Sequence, residues 1–239
     1  MKPRVSRSSA LALLIFIPRL AAPAPANPAL TGFPFTDEAL NYTIDWPSGL
    51  NLGEGHLQSK HTEAGWSFEM TLDASVPGYA VKDSYTAHAN ADFCSTDFAR
   101  QFLHGARKGG ETETIDRSHE TVTRVTANGG GTSESAVPDC IKDALTLLFY
   151  TRRELGQGRV PPAQQILFGG LYQISLDYTG APMIKVADKQ VQSDEIVCNL
   201  KGPSSNLQFE MYFARDPART PLLVIVPLGP ARFSMELVR

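Results

Sequence analysis

The side chains of this chain that could do chemistry are its five histidines, its three cysteines and a scatter of serines and carboxylates. His56 and His61 are the closest histidine pair, but five residues apart on an extended strand puts them on opposite faces, where they cannot share a metal. His88, His104 and His119 stand alone, and no HExxH frame occurs. No serine sits in a GxSxG elbow or an SxxK frame, and Ser48 and Ser204 occupy turn-like contexts. Asp194 and Glu195 are adjacent, so on a strand they point to opposite faces and read as solubilising charge, not as an acid and base pair. The expectation is a protein that is not an enzyme and uses no cofactor or metal.

The cysteines take their meaning from the first residues. Lys2, Arg4 and Arg7 precede the apolar run Ala10 to Ile17, which Pro18 and Arg19 end, and small residues follow. This is the form of a secretory leader, too short to span a bilayer, with cleavage expected after Ala26. No cysteine lies near the cut to take a lipid. The expected location is periplasmic or secreted, where disulfides persist. Cys94 and Cys140 are expected to pair, worth roughly 4 kcal/mol for a loop of this size. Cys198 is expected to stay a free, buried thiol, because it shares an apolar strand face with Ile196 and Leu200.

Removing residues 1–26 leaves 213 residues, within the size of one domain. It also removes four of the 22 basic residues and none of the 25 acidic ones, for a net charge of −7. That balance argues against nucleic acid as a partner. No apolar stretch long enough to cross a membrane remains beyond the leader.

From Leu40 onward, short alternating segments are separated by Gly, Pro, Asn or Asp, the pattern of strands joined by tight turns. Strands are expected near 40–46, 52–61, 66–75, 80–93, 99–105, 111–117, 119–127, 165–178, 183–187, 191–201, 207–214, 222–227 and 231–238. Asn128 to Thr132, with three consecutive glycines, reads as a loop. The fold class is mainly β: an antiparallel, strongly curled sheet or barrel-like spiral of about 10–13 strands, with parallel βαβ units excluded. Asp139 to Leu155 breaks the rhythm, since Ile141, Ala144, Leu145, Leu148 and Arg152 recur at helical spacing. Asp139 is expected as N-cap and Gly156 as the left-handed cap, with Arg152 and Arg153 complementing the dipole.

Such a sheet encloses more interior than one helix fills, so an apolar cavity able to take an acyl chain is expected. Aromatic and aliphatic faces run through Phe68, Met70 and Leu72; Phe168, Leu171 and Tyr172; and Phe209, Met211 and Phe213. Arg152 on the apolar stripe must be paired if buried, with Asp177 as a candidate partner, or must meet an anionic headgroup at the cavity mouth. The residues singled out for a ligand are Arg152, Tyr150, Phe168, Tyr172, Phe209 and Met211.

Four stretches, in order, resemble the exported bacterial domain of unknown function 3108 family. They are Leu40-Asn41-Tyr42-Thr43-Ile44-Asp45-Trp46 with Gly53 and Gly55; Asp139-Cys140-Ile141-Lys142-Asp143-Ala144-Leu145 running to Phe149-Tyr150-Thr151-Arg152; Tyr172-Gln173-Ile174; and Phe213-Ala214-Arg215-Asp216 with Arg219-Thr220-Pro221. The resemblance covers nearly all of the chain beyond the leader. It implies an envelope protein with a curved β structure around a helix and no assigned activity. A more distant similarity, at the level of fold, is to the open barrels of periplasmic lipoprotein carriers, which hold acyl chains. The expected function is therefore a periplasmic binding or envelope-maintenance protein whose partner is a lipid or other hydrophobic small molecule. The alternative is a scaffold that docks another envelope protein through its β surface.

Overall fold

The computed structural model describes residues 36–76, 78–202, 206–228 and 231–238; the leader proposed for residues 1–26 lies outside them. The elements are β1 Glu38–Asp45, β2 Asn51–Thr62, β3 Gly65–Val76, β4 Tyr79–Ala89, β5 Ser95–His104, β6 Arg107–Asp116, β7 Thr121–Thr126, β8 Gly131–Ala136, β9 Lys142–Asp143, helix α1 Ala144–Gly156, β10 Gln164–Leu167, β11 Leu171–Gly180, β12 Met183–Val186, β13 Lys189–Lys201, β14 Asn206–Ala214, β15 Pro221–Leu228 and β16 Ala231–Val238. The strands form one large sheet in the order β8 through β1, then β16, β15, β14, β13, β11, β10 and β9, with β12 paired to β13.

The first and last strands of the domain are neighbours: Tyr42 on β1 lies opposite both Gly55 on β2 and Leu237 on β16. The sheet does not close. It coils, so that Ile115 and Val122 of β6 and β7 pack against Ile141, Leu167 and Leu171, which belong to the segment running through β9 to β11. Twist accumulated over this many strands makes such a coil the expected outcome.

Three expectations need correction. The segment expected as one strand over 165–178 is two, β10 and β11, because Phe168-Gly169-Gly170 turns the chain, with Gly169 and Gly170 at φ +69° and +159°. The glycine-rich stretch read as a loop runs straight into an additional strand, β8, every residue of which is exposed. β9 and β10 pair in parallel with α1 between them, a minimal βαβ crossover inside an otherwise antiparallel sheet.

The helix begins four residues later than the pattern suggests. Cys140 adopts a left-handed φ of 55°, which interrupts any helix starting at Asp139, and Lys142–Asp143 are held as strand by β10. Asp139 instead meets Arg117 at the surface. The N-cap is Asp143, fully buried, whose Oδ1 accepts from the N–H groups of Leu145 and Thr146 at 2.8 and 3.0 Å. Its Oδ2 accepts from the hydroxyls of Ser95 and Thr146, each at 2.6 Å, and Ser95 Oγ accepts in turn from the Asp143 N–H. Burial pushes this carboxyl above its ordinary value, and the four donors oppose that shift. At the other end Gly158, not Gly156, takes the left-handed conformation, and its N–H reaches the Leu155 carbonyl.

One disulfide, Cys94–Cys140, clamps the turn before β5 to this junction, while Cys198 is free and buried, its thiol pushed up to about 12 by burial. The helix is thereby held against the concave face of the sheet. Phe149 stacks on Phe68 with centroids 4.2 Å apart, beside Trp66 and Phe93. Replacing Asp143 with Ala should cost about 2–4 kcal/mol in urea unfolding, because buried donors at the helix start lose their acceptor. Asp139→Ala should cost less than about 0.5 kcal/mol; equal effects would contradict the assignment of the cap.

Candidate functional site

The helix fills only one end of the coil. At that end Arg152, with no exposed side-chain surface, donates to both carboxylate oxygens of Glu38 at 2.6 and 3.0 Å and through Nε to the Ala218 carbonyl at 3.0 Å. Glu38 opens β1, and Ala218 lies in the β14–β15 connection. The partner of Arg152 is thus Glu38, not Asp177, whose carboxylate accepts from Asn199 instead. The bidentate pair with a further carbonyl acceptor satisfies the buried guanidinium.

Between the helix and the end of the sheet where the β1–β2, β3–β4 and β5–β6 hairpins turn lies an apolar cavity of about 300 Å³. Its floor is the helix face Ala144, Leu145, Leu147 and Leu148. Its walls include Met70 and Leu72 of β3, Phe98 of β5, Phe209 and Met211 of β14, Val224 of β15 and Met235 of β16. Two tyrosines complete it, each with its hydroxyl engaged: Tyr42 donates to the Pro221 carbonyl and Tyr85 to Asp83. Burial raises the pKa of both phenols, so they are neutral throughout the physiological range.

Of the residues singled out from the sequence, Phe168, Phe209 and Met211 line this cavity. Tyr172 packs among the neighbouring residues of β11, β13 and β14 without forming part of the lining. Tyr150 lies beneath two cations, Lys142 at 4.4 Å and Arg153 at 4.8 Å from its ring centre. Arg152 is enclosed at the plugged end. The wall residues Met70 and Leu72 belong to an apolar face that alternation already marks, whereas Tyr42, Tyr85 and Met235 come together only through the β1–β16 pairing and the coil.

Beside the cavity, the concave face turns charged. Phe168 stacks near Tyr85 and Phe98 and also carries the Arg100 guanidinium, 5.0 Å from its ring centre. Arg100 and Arg124 both pair with the buried Glu111, Arg124 Nε donating at 2.6 Å. Gly169, left-handed, lies directly against this group: a side chain there would strike the Glu111 carboxylate and the Arg100 guanidinium. Glu113, also buried, is reached by the Gly169 N–H, yet its Oε2 has no hydrogen-bond partner. Burial, and then the Glu111 charge, push its carboxyl up to about 7 against the pull of Arg124 and Arg100. Among the described residues no three His, Cys, Asp or Glu side chains converge as metal ligands, and no helix is long and apolar enough to cross a membrane.

No family model matches the sequence, that of the domain of unknown function 3108 family included, and no curated protein matches it. The architecture is similar to that of a solved structure, a β-barrel-like protein of domain of unknown function DUF1849 from Brucella abortus. The TM-score is 0.62 at 7% sequence identity, over 85% of this chain and 96% of that one. This likeness is one of fold, and it falls on a protein whose own function is unassigned.

The raised carboxyl of Glu113 makes a signed prediction. The folded state holds the proton more tightly than the unfolded chain, so Glu113 costs stability progressively as pH rises from about 4.5 to about 7, and by a constant amount above that. Glu113→Gln should therefore be more stable than the parent at pH 8, by roughly 2–3 kcal/mol, and indistinguishable at pH 4. Denaturation curves at the two pH values check this; a variant less stable at pH 8 would contradict it.

Proposed function

We propose that this chain is an exported, non-enzymatic carrier or envelope-maintenance protein that holds a hydrophobic ligand in the cavity above the helix. The observation that carries the reading is a cavity of about 300 Å³ whose lining is apolar apart from two tyrosines with occupied hydroxyls. Close-packed interiors do not leave such space, and ligand sites of roughly 300–1,000 Å³ are characteristically apolar. The small volume favours a single alkyl chain over a two-chain lipid. Export is supported by the leader-like residues 1–26 and by the Cys94–Cys140 disulfide, a bond that cytosolic reductants would oppose. The four stretches that resemble the domain of unknown function 3108 family agree with an envelope role.

The experiment is native mass spectrometry of protein recovered from the periplasm of an expressing bacterium, set against an organic extract of the same sample. The expected result is a substoichiometric to stoichiometric adduct of one apolar molecule, lost in Leu72→Trp, which places an indole in the cavity. An empty protein in both parent and variant would contradict the carrier reading and favour the docking scaffold.

A further inference from the structure

The carrier reading leaves open which kind of amphiphile is held. The cavity wall itself supplies a criterion. On β5 the residues Phe98, Arg100 and Phe102 share one face, and register sets Arg100 opposite Tyr85 and Phe102 opposite Asp83. Phe98 and Tyr85 line the cavity, so Arg100 is the first residue beyond its wall in the direction of the β5–β6 hairpin. Its guanidinium is held between the rings of Phe168 at 5.0 Å and Phe102 at 5.6 Å, with the side chain still 24% exposed. Arg107, exposed on β6, places its own guanidinium 5.6 Å from the same Phe102 ring, and among the described residues no carboxylate pairs with it.

The charges here do not cancel. Arg100 and Arg124 share the single carboxylate of Glu111, and Arg107 stands over Phe102. Asp83 is occupied by His104 Nε2 at 2.8 Å and by the Tyr85 hydroxyl at 3.1 Å. Glu113, raised to about 7, carries only part of a charge near neutrality. A surplus of guanidinium, preorganised by aromatic rings and bordering an apolar cavity, has the chemistry that binds an anionic oxygen group.

Resting on the carrier reading, we infer that the ligand is a single-chain amphiphile with an anionic head, a phosphate or carboxylate, whose chain enters the cavity past Phe168 while its head is held by Arg100 and Arg107 beside Phe102. Arg152, the arginine that the sequence puts forward, is enclosed with Glu38 at the plugged end and takes no part.

The test is displacement of the neutral fluorophore 1-N-phenylnaphthylamine by dodecyl phosphate, by dodecan-1-ol and by inorganic phosphate. Dodecyl phosphate should displace the fluorophore at a concentration about ten-fold lower than dodecan-1-ol, and inorganic phosphate should not displace it. Arg107→Gln, which breaks no buried pair, should remove most of that advantage and leave dodecan-1-ol unchanged; Arg100→Gln should do the same where it folds. Equal potency of the phosphate and the alcohol, or an unaltered ratio in Arg107→Gln, overturns the headgroup assignment while the carrier reading stands. Failure of both the fluorophore and dodecan-1-ol to bind overturns the carrier reading and this inference with it. Protection of the parent, but not of Arg107→Gln, against thermal unfolding by inorganic phosphate alone would overturn the amphiphile in favour of a free-anion site.

Discussion

The carboxylate of Asp143 is the interaction on which the interior depends. It is fully buried, and it joins two segments 48 residues apart, the start of the helix and the first residue of β5, which the Cys94–Cys140 disulfide links a second time beside it. A helix of 13 residues cannot hold itself together by hydrogen bonding alone. What fixes it is a satisfied N-terminus at one end, the Phe149–Phe68 stack along its length and the Arg152–Glu38 pair near its close. With both ends pinned, the helix occupies the lower part of the coil and no more. The space above it follows from that placement, because the sheet is wider than one helix.

The polar groups of the concave face are arranged to the same end. A buried charge is tolerable only when paired, and pairing needs room and geometry. Here the ionic groups are sorted to the margins of the apolar region: Arg152 with Glu38 below the helix, and Arg100 and Arg124 with Glu111 beyond Phe168. Between them the lining carries almost no polar atoms, and the two tyrosine hydroxyls present are turned to acceptors. Segregation of this kind yields an apolar compartment with a charged border. A scattering of ion pairs across the interior would have drawn water in.

Much of this was legible from residue order, and the failures have physical reasons. Strand alternation marked nearly every long strand, since each has one face in the core, as with Ile196 and Cys198 on β13. β8 escaped because Thr132, Ser133, Glu134 and Ser135 are exposed on both faces, so no alternation exists to detect. Helical spacing points to Asp139 because Ile141 falls in step with the apolar stripe, and the choice of Asp143 is made by Ser95, 48 residues away. The same distance problem hid Glu38 from Arg152, 114 residues away. Half of the site residues named from the sequence line the cavity. Arg100 alternates with Phe98 and Phe102 on one face of β5, a pattern visible in the sequence, whereas Phe168 is set against it only by the coil.

The central claim, that the space above the helix is a binding compartment and not a packing defect, can be tested with the methionines. Met70, Met211 and Met235 line the cavity, while Met183 is exposed on β12 and serves as the internal control. Protein carrying ¹³C-methyl methionine, titrated with dodecan-1-ol, should show saturable shifts of the three cavity methyl resonances and a stationary Met183. Stationary cavity methyls, or a shift confined to Met183, would show that the alkyl chain does not enter and would contradict the account.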